Sequence, residues 1–254
     1  MIDLHSHILP YIDDGAKNET ESLDMLHQAV AEGISTIFAT PHHQNGKYRN
    51  EKEDILSQTV RLNKIAQSNG LDIQIVGGQE VRLNGEIIQD FQAGKILPLG
   101  NSRYLLVELP SAHVPHYTER LFYELQLVGL IPIIAHPERN SQFLQHPEKI
   151  FQLIEKGALI QLTASSLIGH FGKKIKRFSW QLLKADAVHF VASDAHNLAS
   201  RDFQMRDAFL LMEKKYGEDF VENLKDNAQK VLLNKSIYPP TPLKFGRHKF
   251  LGVF

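Results

Sequence analysis

Nearly every short apolar run in this chain is followed within a few residues by a carboxylate or an imidazole, and the runs alternate with longer amphipathic stretches. Runs rich in β-branched residues at 2–5, 34–39, 73–76, 104–107, 131–135, 159–162 and 189–192 read as seven strands. Helices are expected between them at 19–32, 51–69, 117–128, 147–156 and 175–185, with a shorter one at 85–93 and two more after the last strand at 202–216 and 219–233. Several of these close on a glycine, such as Gly33, Gly70, Gly129 or Gly157. Strand and helix taking turns in this way specify a parallel sheet clothed by helices, and 254 residues suit one α/β barrel.

In such a barrel the C-terminal ends of the strands converge on one face, where active sites are built. The residues that follow the strands then become one cluster. His5 and His7 stand at the end of the first strand, His42 after the second, Glu80 after the third, Glu108 after the fourth, His136 after the fifth, and Asp194 with His196 after the seventh. Only the sixth strand, leading into Thr163-Ala164-Ser165, lacks such a residue. Taken singly, His42 reads as a helix cap, Glu108 as a salt bridge at the core edge and Asp194 as an N-cap. Together they would repel and resist desolvation around one mouth unless cations hold them. In Asp13-Asp14-Gly15 one aspartate is expected to join the cluster and the other to turn the chain, with Asp14 favoured as the ligand. His27, His113, His116, His146, His170 and His248 are expected at surface or loop positions, and His189 at the core edge.

The donors are oxygen and nitrogen, because the chain has no cysteine; manganese, iron, zinc and magnesium all suit them, manganese or iron better than a structural zinc. That absence also removes disulfides and any thiol nucleophile. With 28 basic against 29 acidic side chains, no global field draws the protein to nucleic acid or anionic lipid. Neither a signal peptide nor a membrane span is legible, so the expectation is a soluble cytoplasmic protein. The domain is expected to cover residues 1–237, and residues 238–254 to form a proline-containing tail with basic and aromatic residues.

The segment from Asp3 to Ala16, Asp-Leu-His-Ser-His-Ile-Leu-Pro-Tyr-Ile-Asp-Asp-Gly-Ala, resembles the opening of the bacterial polymerase and histidinol phosphatase (PHP) proteins. More narrowly, it is similar to their tyrosine-protein phosphatase branch from capsule and exopolysaccharide gene clusters. Thr40-Pro41-His42-His43, Gly78-Gln79-Glu80, Glu108-Leu109-Pro110, Ala135-His136-Pro137-Glu138-Arg139-Asn140 and Ser193-Asp194-Ala195-His196-Asn197 continue the resemblance in order.

The resemblance implies a distorted (βα)7 barrel of the PHP fold holding three divalent ions, manganese foremost. It implies His5, His7, Glu80 and Asp194 around one ion, Glu80 bridging to a second held by Glu108 and His136, and Asp14, His42 and His196 around the third. Arg139 and Arg201 would grip the substrate phosphate. On that assignment three dications exceed four ligand carboxylates by about two charges, which favours a dianion such as a phosphate monoester. The reaction so implied is attack by a metal-bridging hydroxide on the phosphotyrosine of a protein, a bacterial tyrosine kinase in the branch resembled, with His43 or a cluster carboxylate as proton donor. The competing readings are a small-molecule phosphatase, for instance for histidinol phosphate, and a non-catalytic metal-binding regulator.

Overall fold

The computed structural model describes residues 1–243. β-Branched and apolar residues between turn-formers produce strands β1 (Ile2–Ser6), β2 (Thr36–Ala39), β4 (Gln74–Gly77), β6 (Tyr104–Glu108), β7 (Ile131–Ala135), β8 (Leu159–Thr163) and β9 (Phe190–Ala192), which correspond to the seven expected. Two further short strands, β3 (His42–His43) and β5 (Glu80–Arg82), resume the second and third after interruptions at Pro41 and Gly78-Gln79. Proline has no N–H to give a ladder, so the pairing of β2 with β4 lapses there and resumes as β3 with β5.

All pairings are parallel. One sheet runs β1-β2-β4 and the other β3-β5-β6-β7-β8-β9. The two meet at the first and last strands, where Asp194 N donates to His5 O and His7 N to Ala195 O, both at 2.8 Å. At the other junction Gly100 N donates to Gly77 O at 2.8 Å, so a loop stands where β4 and β6 would otherwise pair. The result is a distorted barrel-like α/β fold rather than a regular ring of ladders.

Helices α1 (Glu19–Ala31), α2 (Lys52–Ser68), α3 (Ile87–Gln92), α4 (Thr118–Leu127), α6 (Glu148–Glu155), α8 (Lys173–Lys184), α9 (Met205–Tyr216) and α10 (Glu218–Leu232) answer to the expected ones. The short α5 (Ser141–Gln145), α7 (Ala164–Ile168) and a 3-10 turn at Pro137–Arg139 were not legible, because five residues or fewer show no helical period. An outer apolar layer between strands and helices includes Ile37, Leu105, Ile134, Ile160, Phe122 and Leu182. An inner cluster is built largely from the opposite strand face: Leu4, Phe38, Tyr104, Leu106, Ile133, Leu159 and Phe190, with Ala228 and Val231 of α10 joining it. This inner stack is the floor on which the polar cluster rests.

Beyond α10 the chain stays tied to the domain: Tyr104 Oη donates to Lys235 O at 2.6 Å, and Leu243 N to Ala185 O at 2.8 Å. Most of the expected tail, residues 244–254, and His248 with it, lie outside the described residues. Among the described residues no helix is long and apolar enough to cross a membrane.

Candidate metal centre

Period-two alternation carries the inner face of β6 and β9 up to a ligand: Tyr104 and Leu106 are followed by Glu108, and Phe190 and Ala192 by Asp194. β1 departs from strict alternation. Ile2 and Leu4 contact the inner apolar cluster, yet His5 is also turned inward, and a register irregularity between Asp3 and Ser6 accommodates the change. After β7 and β9 the chain turns through His136 at φ 34° and Asp194 at φ 54°, left-handed conformations that cost on the order of 1–3 kcal/mol each in a non-glycine residue. Such strain at two strand ends is what a geometrically demanding site requires.

The structure brings all nine expected ligand residues together. His5 Nε2 lies 3.5 Å from Glu80 Oε2 and 3.4 Å from Asp194 Oδ1, and His7 Nε2 lies 3.5 Å from both oxygens. His136 Nε2 is 2.6 Å from Glu80 Oε1. His42 stands between two groups, with Nδ1 2.7 Å from Glu80 Oε2 and 3.9 Å from Glu108 Oε2, and Nε2 3.4 Å from Asp14 Oδ1. His196 Nε2 lies 3.6 Å from the same Asp14 oxygen. Three donor sets capable of holding an ion emerge: His7 with Asp14, His42 and His196; His5 with His7 and Glu80; and His42 with Glu80 and Glu108.

The histidines are aimed from behind. His5 Nδ1 donates to Gln161 Oε1 at 2.9 Å, His7 Nδ1 to Asp13 Oδ2 at 2.6 Å, and His196 Nδ1 to Asp194 O at 2.9 Å. With Nδ1 occupied, each Nε2 keeps its lone pair for the shared space. The Asp-Asp pair thus divides as expected. Asp14 faces His42 and His196, while Asp13 also accepts from His42 N and Gly15 N and so folds the loop. Gly15 is required there, because a Cβ on it would sit 2.0 Å from His7 O.

Within the cluster His196 Nε2 is buried and makes no hydrogen bond, and Asp194 Oδ1 has imidazole nitrogens no nearer than 3.4 Å, while His42 Nδ1 crowds Glu80 Oε2 at 2.7 Å. Buried donor atoms left poorly satisfied cost free energy, and several converging in one place are intelligible as ligands for cations. Burial raises the Glu80 carboxyl, but His42, His5 and His136 outweigh it and hold the group well below the usual range. Burial likewise acts on Asp194, and Arg139 with His5 outweighs it in the same direction. Glu108 goes the other way, pushed up to about 7 by burial and by the charge of Glu80, against Arg82. The residues present therefore fit divalent cations with nitrogen and oxygen ligands.

Both expected arginines reach this cluster. Arg139 Nη2 donates to Asp194 Oδ2 at 2.6 Å and Arg201 Nη2 to the same oxygen at 3.0 Å, leaving the Nε of each buried and unpartnered. Arg201 is delivered by a loop rather than by the helix expected from residue 202. Asn197 Oδ1 accepts from Ala199 N, Ser200 N and Arg201 N, which postpones α9 to Met205. A cavity of about 220 Å3 opens beside them, lined by His42, Glu108, Ser111, His136, Arg139 and Arg201 among others.

His43 faces away from the cluster, as alternation along β3 demands; its Nδ1 donates to Asn50 O at 2.6 Å. His27, His113, His116, His146 and His170 are exposed. His189 is buried, and its Nδ1 accepts from Ile160 N at 2.9 Å. Sequence reading missed Gln161 and Arg82. Gln161 lies on the strand that lacks a ligand, in step with the inward Leu159, and Arg82 Nη2 meets Glu108 Oε2 at 3.0 Å from two residues beyond Glu80. Parity along each strand was the available signal. Replacing Gln161 with Leu is expected to weaken manganese binding by about 10–100-fold in a calorimetric titration, with the fold preserved by circular dichroism. Unchanged affinity would reduce Gln161 to a packing residue.

The family model "Capsular polysaccharide synthesis, CpsB/CapC" matches residues 1–233. Tyrosine-protein phosphatase YwqE of Bacillus subtilis is 45% identical over 256 aligned positions, covering 100% of both chains. Tyrosine-protein phosphatase CpsB of Streptococcus pneumoniae is 31% identical, covering 93% of this chain and 100% of its own. Among solved structures, one from the work on YwqE and CpsB, described as unique metal-dependent tyrosine phosphatases, superposes with a TM-score of 0.94 at 44% identity, over 97% of this chain and 100% of the other. A TatD-family hydrolase from Entamoeba histolytica, at TM-score 0.55 and 14% identity over 91% of this chain and 97% of the other, shares the fold alone.

Proposed function

The chain belongs to the CpsB/CapC family of capsular polysaccharide synthesis, and from that premise we propose that it is a metal-dependent protein-tyrosine phosphatase. The observation that carries the reading is the convergence of five imidazoles and four carboxylates beside two guanidiniums, which pairs a seat for cations with a seat for a dianion. His5, His7, Asp14, His42, Glu80, Glu108, His136, Asp194 and His196 would hold the ions, three in number and manganese by preference. Divalent cations in such a site supply a nucleophile at neutral pH by lowering the pKa of water and supply positive charge to phosphoryl oxygens.

This chain's own residues do the rest. Gln161 and Asp13 take the Nδ1 of His5 and His7 and so aim each Nε2 at the shared space. Arg139 and Arg201 present planar forks at the cavity and would bind non-bridging oxygens most strongly as charge moves onto them. A tyrosine leaving group, whose free phenol has a pKa of about 10, needs less proton assistance than an alkoxide. With His43 turned toward Asn50, a cluster carboxylate is left as the donor of the two considered. The substrate proposed is a tyrosine-phosphorylated bacterial kinase, met in the cytoplasm.

Parallel turnover measurements on a phosphotyrosine peptide and on histidinol phosphate, with manganese present, test the reading. Preference for the peptide is expected. Preference for the small ester would transfer the site to metabolite hydrolysis, and no turnover of either would leave a metal-binding regulator.

A further inference from the structure

A second cavity, about 420 Å3 and sharing no lining residue with the first, runs between α8 and α9 and is lined by Lys173, Lys176, Arg177, Trp180, Lys184 and Lys215 together with Gln181. α8 carries no acid along its whole length, KKIKRFSWQLLK. Among the described residues no carboxylate lies within ion-pair distance of any of these five cations, although the protein as a whole has 28 basic and 29 acidic side chains. Elsewhere some surface lysines pair, as Lys156 with Glu119, Lys225 with Glu222 and Lys230 with Asp226; the α8–α9 face differs in crowding five cations together. Crowding unpaired cations on one face is unfavourable by repulsion and makes a local field that attracts anions.

The groove is also connected to the site. Arg139 Cζ lies 5.1 Å from the ring centre of Phe171, and Lys173 follows Phe171 by two residues, at most about 7 Å along the chain. From Lys173 to Lys184 the helix extends about 16 Å, the reach of some five residues of extended polypeptide. The floor is aromatic and held in place: Trp180 Nε1 donates to Leu167 O at 3.1 Å, and Lys215 Nζ lies 4.3 Å above the Trp180 ring. A half-buried, tethered indole under a row of cations is a channel for a chain rather than a membrane anchor, which would need aromatic rings free to enter lipid.

We propose that the α8–α9 groove docks an acidic segment of the substrate polypeptide adjacent to the phosphotyrosine, on the side reached past Phe171. The adjacency rests on the phosphotyrosine reading above, whereas binding of an acidic segment can be measured without it.

Trp180 is the only tryptophan in the chain, so intrinsic fluorescence reports on the groove directly. The full-length protein is titrated with a peptide rich in Asp and Glu that carries Phe in place of phosphotyrosine, with a neutral peptide of equal length, and with phosphatidylglycerol vesicles. A saturable change with the acidic peptide alone, weakening in 0.5 M NaCl to a small fraction of its low-salt affinity, is expected. It should vanish in K173E/R177E/K184E. Of these exchanges only K173E falls in the first turn of α8, where the helix dipole favours an acid, and K184E falls in the last, where it does not; K173Q/R177Q/K184Q, which adds no acid at either end, is therefore the second version. With phosphotyrosine peptides, the triple variants should raise KM for an acidic-flanked substrate by roughly tenfold, leaving kcat and p-nitrophenyl phosphate hydrolysis unchanged. An equal response to the neutral peptide, a response to vesicles instead, or unaltered binding in both variants overturns the proposal. Intact acidic-peptide binding in a protein that hydrolyses no phosphotyrosine would sink the proposed activity and the adjacency together while the groove itself stands.

Discussion

Protein stripped of divalent cations by exhaustive chelation, and shown to be so by elemental analysis, is expected to lose all turnover of phosphotyrosine, with manganese restoring it. The chain has no cysteine to serve as a nucleophile in their place, and the histidines and carboxylates around the cavity are engaged with one another. A second readout does not depend on catalysis. Without cations the cluster's imidazoles and carboxylates have only one another for partners, and His196 Nε2 is buried with no hydrogen bond. Cation binding at a hundred times its dissociation constant should add about 2.7 kcal/mol to folding stability, which for a chain of this size raises Tm by several degrees. Full activity in verified metal-free protein, or a Tm indifferent to manganese, would remove the cations from the mechanism.

Replacing Arg139 or Arg201 with Ala is expected to lower kcat/KM by on the order of 100-fold or more with metal content unchanged, since each fork serves the transition state more than the ground state. The structure raises a rival explanation, because both guanidiniums share Asp194 Oδ2. Were neutralising Asp194 their whole task, the alanine variants would lose cation affinity along with activity, and lysine at either position would restore both. Loss of activity at full metal occupancy, poorly rescued by lysine, is the outcome a phosphate-binding fork predicts. Near-normal kinetics in both variants would reduce them to partners of Asp194.

Strand ends were legible because all but one of the apolar runs end at or within a few residues of a titratable residue: Val107 passes to Glu108, and Ala135 to His136. A covalent neighbour relation survives folding, so whatever follows a barrel strand arrives at one face. Helix existence was legible for the same local reason, through periodicity and capping, as with Asn18 accepting from Glu21 N ahead of α1. Relations between distant residues were not. That Gln161 backs His5, that Arg82 meets Glu108, and that one cavity joins His42 to Arg201 depend on which strand lies beside which.

Three features separate what the sequence determined by itself from what tertiary structure decided. The residue types, their spacing and their place after strands specified an α/β fold with a nitrogen- and oxygen-donor cluster at one mouth, because propensity, alternation and ligand chemistry are local or additive. Which way each donor points was decided only on folding. The irregularity in β1 turns His5 inward, alternation along β3 sends His42 in and His43 out, and Asp13 takes the loop so that Asp14 can face the imidazoles. Side-chain direction at a strand end is set by bulges, by left-handed residues such as His136 and Asp194, and by hydrogen bonds from other strands. Each of these costs local energy that only contacts made across the whole chain can offset.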